Sequence, residues 1–208
     1  MKKIIFSERY GLEQAVLAGT KTMTRRIIKG AYVAVIHLKY EGSFIGKTAD
    51  GDSVILPQPT YKIGEEVAIA QPYKNDDVLT YDAYNEDGTA REDGLQRHKE
   101  MLDSKGYRNK MFVKAEYMPH SIRITGIKVD RLQEISEEEC LKEGIYPFKD
   151  GDYNGFSFDG WMSERVKGKK CYSVDARFAF ECLIDKMCGK GTWERNPWVF
   201  VYTFELLK

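Results

Sequence analysis

The segment Trp198-Val-Phe-Val-Tyr-Thr-Phe-Glu-Leu-Leu constrains the fold more than any other stretch of the chain. Its aromatic and β-branched content predicts a strand in the middle of a sheet. Other strands are expected at Lys2 to Phe6, after the turn Tyr61-Lys-Ile-Gly, at Met111 to Ala115, and at Ser121 to Arg131. In the last of these the apolar residues alternate as Ile122 and Ile124, then Ile127 and Val129. Gly126 marks a bulge that shifts the register. Strand and helix do not alternate strictly, and no Gly-rich phosphate loop follows a strand. The expectation is an α+β fold with a largely antiparallel sheet, not a Rossmann or P-loop fold.

Three helices carry readable punctuation. Ser7 is expected to cap a helix that presents Leu12, Ala15 and Val16 on one face and stops at Gly19. Ser136 and Glu139 form a capping box with Ile135 and Cys140 as its staple; Leu141 continues the apolar face and Gly144 ends the helix. Asp175 opens an apolar helix through Phe178, Phe180, Leu183, Ile184 and Met187, ended by Gly189. Residues 20–28 leave the first helix as an extended segment, and residues 29–60 suggest hairpins or a long decorated loop. Residues 75–110 are polar and Asp-rich, with a helix from Leu95 to Leu102. They read as an inserted, mobile flap rather than a second core. Residues 146–172 read as a second long loop.

At 208 residues the chain is expected to form one domain, 1–208, with insertions at 75–110 and 146–197. Its 32 basic and 32 acidic side chains cancel, so binding of long nucleic acid would rest on a local patch; a small nucleoside needs none. The four cysteines (140, 171, 182, 188) form no C-x-x-C pair and the three histidines are scattered. Neither a zinc site nor any cofactor is therefore expected. No apolar stretch approaches the ~18–20 residues of a membrane span, and the cytoplasm is the expected location.

Four segments, in order, resemble the ASCH-domain family of the PUA-like superfamily. They are Phe6-Ser-Glu-Arg-Tyr through Leu17-Ala-Gly-Thr-Lys-Thr-Met-Thr-Arg-Arg, Tyr61-Lys-Ile-Gly-Glu-Glu-Val, Leu132 to Gly144, and Val199-Phe-Val-Tyr-Thr-Phe. The resemblance covers roughly half of the chain and implies a small β-barrel with flanking helices. Within the family, the helix–G-x-K-x-x-T-x-R segment is similar to that of the N(4)-acetylcytidine amidohydrolases. It implies Lys21, Thr24 and Glu143 as catalytic residues. Another branch of the superfamily binds or cleaves RNA, so the implied ligand is a small acylated nucleoside or RNA.

The chemistry of the motif fits either ligand. Amide hydrolysis needs a nucleophile, a base for its proton and an acid for the leaving amine. Thr24 supplies a hydroxyl, Lys21 a base if its pKa is lowered by burial or by Arg25 or Arg26, and Glu143 a proton donor if desolvated. Taken singly, Lys21 reads as a solvated lysine, Thr24 as a β-former and Glu143 as a surface carboxylate. Arg25-Arg26 reads equally as an anion clamp or as an ion pair with Glu8 or Glu13. Tyr73 and Trp161 are the candidate stacking surfaces for a base, while Trp198 reads as core. Three functions stay open: deacylation of a pyrimidine nucleoside, RNA binding, and ribonuclease activity.

Overall fold

The computed structural model describes residues 1–38, 43–81, 89, 91, 93–159 and 172–207. Its largest sheet has five strands in the order β1-β6-β7-β10-β2. These are β1 (Lys2–Ile4), β2 (Met23–Ile27), β6 (Glu66–Ile69), β7 (Ser121–Arg131) and β10 (Trp198–Leu207). β1 pairs β6 in parallel; the other ladders are antiparallel. β10 lies between β7 and β2, with Val199, Phe200, Val201 and Tyr202 all buried. Cover on both faces is what its unbroken apolar run requires, and each such side chain contributes about 1.5–3 kcal/mol on burial.

β7 carries the bulge expected at Gly126. Thr203 pairs Gly126 but Phe204 pairs Ile124, so Thr125 is the extra residue. A Cβ at position 126 would lie 2.6 Å from the Thr203 hydroxyl, which is why glycine stands there. A three-stranded antiparallel meander of β3 (Ala34–Leu38), β4 (Ser43–Lys47) and β5 (Ser53–Ile55) accounts for the hairpins of residues 29–60.

The α-helices among the described residues are α1 (Leu12–Leu17), α2 (Asp76–Tyr81), α3 (Gly94–Asp103), α4 (Glu137–Lys142), α5 (Ala176–Cys188) and α6 (Thr192–Arg195). α4 has the expected capping box, with Ile135 and Cys140 both buried, and α5 has Asp175 as its N-cap. α1 departs from expectation at its start. Gly11 in the left-handed region is its N-cap, and Ser7 contributes its backbone carbonyl to Leu12 rather than its side chain. Leu141 points to solvent, and the apolar face of α4 ends at Cys140.

Four further expectations are corrected. Met111 to Ala115 is not a strand but lies in 3-10 turns, Lys110–Phe112 and Ala115–Tyr117, held by the caps of Asn109 and neighbouring backbone. Residues 146–157 are not loop but a hairpin of β8 (Tyr146–Asp150) and β9 (Tyr153–Ser157). The described residues of 76–118 do form a second apolar cluster. Val78, Met101, Val113, Tyr117 and Met118 pack there with Tyr73, Ala68 and Ala70. Tyr73 is therefore buried and its hydroxyl accepts the Lys114 amide hydrogen (2.6 Å), which removes it as a stacking surface for a ligand. Part of the span expected to be mobile, residues 82–88, 90 and 92, lies outside the described residues.

No helix among the described residues is long and apolar enough to cross a membrane, and no cluster of metal-ligating side chains occurs among them.

Candidate functional site

After α1 the chain turns sharply. The amides of Thr20 and Lys21 both donate to the Ala15 carbonyl, and Gly19 adopts φ +72°. This places Lys21 at the entrance to β2. Strand periodicity then sets Thr24 and Arg26 on one face and Met23 and Arg25 on the other. The second contributor is α4, whose last turn delivers Glu143 as its C-cap. Gly144 follows at φ +101°, where a side chain would press against Leu12, so α1 and α4 meet closely at this point. A backbone bond from the Thr22 amide to the Lys142 carbonyl (3.0 Å) locks the start of β2 to the end of α4.

Lys21 and Glu143, 122 positions apart, form a buried ion pair at 2.8 Å. The lysine donates all three of its hydrogens: to Glu143 Oε2, to the Glu143 carbonyl (2.6 Å) and to the Met23 carbonyl (2.7 Å). None goes to Thr24. The other Glu143 oxygen, Oε1, accepts from Arg25 (3.0 Å), whose second nitrogen reaches Glu139 (2.6 Å). Both Glu143 oxygens thus accept from cations, the bonding of a carboxylate rather than of a free acid. Burial pushes the Lys21 pKa below the ordinary lysine value; Glu143 opposes this, and Arg26 and Arg25 add to it. Arg25 Nε is buried without a hydrogen-bond partner among the described residues.

The two arginines therefore differ. Arg25 is committed inside the protein, to Glu143 and Glu139. Glu8 and Glu13, the partners read from sequence, both bind Lys110 instead. Arg26 donates to the Ile5 carbonyl (3.0 Å), and among the described residues no carboxylate pairs with it.

These groups line one cavity of about 230 Å³. Its lining includes Lys21, Thr24, Arg25, Arg26 and Glu143, together with Ile5, Phe6 and Ser7 from the far edge of the sheet. α5 supplies Phe180, Leu183, Ile184, Met187 and Cys188. Lys21, Arg25 and Glu143 are buried, with Lys21 2% exposed, Arg26 is partly buried, and Ile27 and Met187 are 41% and 42% exposed. The volume is below the ~300–1,000 Å³ of drug-sized sites, so a small ligand fits. No side-chain hydrogen bond among the described residues engages the Thr24 hydroxyl, which leaves it available to one.

Five of the seven site residues read from the sequence converge here; Tyr73 does not, and Trp161 lies outside the described residues. The α5 wall and the Arg25–Glu139 pair were missed. The apolar spacing of α5 was the available signal, but it does not distinguish core from cavity.

Because Ser136 and Glu139 set the start of the helix that ends in Glu143, Ser136→Ala is expected to cost about 1 kcal/mol of stability. Urea unfolding measures it; an unchanged midpoint would mean that the cap does not hold α4.

Set against known proteins, the chain matches no family model, no curated protein and no solved structure.

Proposed function

We propose that this chain is an ASCH-type, PUA-like protein that hydrolyses the amide of a small acylated pyrimidine nucleoside, of which N(4)-acetylcytidine is the model. The observation that carries the reading is the convergence of Lys21, Thr24 and Glu143 on one small cavity with a buried ion pair and an apolar α5 wall. The PUA-like part has its own support. The cavity is lined both by Ile5, Phe6 and Ser7, which follow the edge strand β1, and by the edge strand β2, and Arg26 of β2 donates to the Ile5 carbonyl. A sheet whose two edges approach in this way is curled toward closure, although among the described residues no ladder joins β1 to β2.

The resting bonds require the proton to move first within the ion pair. Transfer from Lys21 to Glu143 gives a neutral amine and a neutral acid, the direction that desolvation favours. Lys21 then takes the Thr24 proton as its oxygen attacks the acyl carbon, and Glu143 gives its proton to the departing nitrogen. The carbon–nitrogen bond breaks and a threonyl ester remains. Water attacks the ester, passing a proton to Glu143, while Lys21 returns its proton to the leaving Thr24 oxygen. The products are the free amine and a carboxylic acid. Arg26, which lines the cavity with donors to spare, is assigned to stabilise the oxygen that becomes negative in each step.

The test is a screen of purified protein against N-acylated nucleosides and short RNAs at two salt concentrations. Hydrolysis of an acyl nucleoside with little salt dependence is expected. Tight RNA binding that weakens steeply with salt, without hydrolysis, would replace this reading by the RNA-binding one.

A further inference from the structure

The ionic groups of the cavity do not balance. Lys21, Arg25 and Arg26 line it, and Glu143 is the carboxylate that faces them. Glu139, bonded to Arg25, brings a second negative charge, while Lys128 beyond it is matched by Asp130. Among the described residues one positive charge is left over, and the hydrogen-bond pattern locates it. Lys21 has spent every donor, and Arg25 holds two carboxylates. Among the described residues Arg26 has one side-chain hydrogen bond, to a neutral carbonyl. It is only partly buried, and it shares a strand face with Thr24. A guanidinium so placed retains a two-pronged donor edge for an oxyacid anion. Arg25 also lines the cavity, and its buried Nε has no hydrogen-bond partner among the described residues.

We infer that the resting cavity is a monoanion site centred on Arg26 and that its ligand class is the small carboxylate. A single negative charge neutralises the excess, whereas a phosphate dianion would overshoot it beside Glu143. The cavity volume suits a compact ion, and the apolar wall from Phe180 to Ile184 accepts the short alkyl end of a carboxylate such as acetate. A kinetic consequence rests on the deacylase reading. The acid released by hydrolysis belongs to this class, so it is retained at Arg26 and competes with the next substrate.

The experiment titrates sodium acetate into the full chain at constant ionic strength, with sodium chloride as the balancing salt and inorganic phosphate as a parallel arm. Binding is read by calorimetry, which needs no turnover. Saturable acetate binding is expected, about 10- to 100-fold weaker in Arg26→Met, the loss that follows from removing a charge-assisted hydrogen bond. Arg26→Lys keeps the charge without the fork and should fall between the two, which preserves the test if the methionine variant misfolds. Absence of saturable binding, equal binding by Arg26→Met or Arg26→Lys and the wild type, or phosphate binding more tightly than acetate would each overturn the assignment. Acetate binding through Arg26 without acyl-nucleoside hydrolysis would leave the anion site standing and remove the deacylase reading. Hydrolysis that acetate does not inhibit competitively would do the reverse.

Discussion

Glu143→Ala is expected to lower the free energy of unfolding by about 3–5 kcal/mol, the usual cost of stranding a buried charge. The size follows from geometry. The variant would leave Lys21 with two carbonyl acceptors but no anion, and Arg25 with Glu139 alone. Both cations are nearly inaccessible to water. Replacing the lysine as well, in Lys21→Met/Glu143→Leu, removes one stranded charge and should recover part of the loss, since an apolar pair of similar volume can match a buried ion pair. Equilibrium urea unfolding of the two variants decides the matter. A loss below about 1 kcal/mol for Glu143→Ala would mean that the pair is solvated, and the buried ion pair described above would have to be abandoned.

The second large effect concerns chemistry. Thr24→Val, nearly the same shape without the hydroxyl, should abolish acyl-nucleoside hydrolysis, a fall of about 10³-fold or more for loss of a nucleophile. Thr24→Ser should keep part of it. Lys21→Arg should be almost as damaging as Lys21→Ala, because arginine keeps the charge but cannot release a proton at usable pH. Circular dichroism of each variant separates lost chemistry from lost folding. The rate should also fall as pH rises through an apparent pKa below the ordinary lysine value of 10.5, since burial holds Lys21 down and loss of the proton shared by the pair removes the acid for the departing nitrogen. Near-normal hydrolysis by Thr24→Val would remove Thr24 from the mechanism, and rescue by Lys21→Arg would make the lysine an electrostatic group only.

What could be read from the chain alone was mostly local. The Ser136–Glu139 box, the Gly126 bulge and the Asp175 cap each depend on neighbours within a few positions, and each is where its residues place it. The hairpin of β8 and β9 was legible in principle, because Gly151 at φ +60° sits in its turn directly after Asp150; the polar neighbours masked it. Met111 to Ala115 misled because an apolar run reads as a strand until its backbone partners are known. Tyr73 misled differently. An aromatic after a strand looks the same whether it faces a ligand or, as here, a second core assembled from residues far along the chain. The Lys21–Glu143 contact could not follow from periodicity across 122 positions and came only from resemblance. No resemblance pointed to the Arg25–Glu139 bond, and it was not foreseen.

The place of β10 has a consequence for the order of events during synthesis. β2, which carries Thr24 and both arginines, has β10 as its ladder partner among the described strands. Every other strand of that sheet precedes β10 in the chain. A nascent polypeptide can therefore assemble α1, the β1–β6–β7 ladders and the α4 cap while the strand bearing the motif still has no edge to join. Closing a loop of such length adds a slow, late step to folding. The chain cannot acquire its site piecemeal, and a product truncated ahead of residue 198 would expose β2 as an unpaired edge open to pairing with other chains.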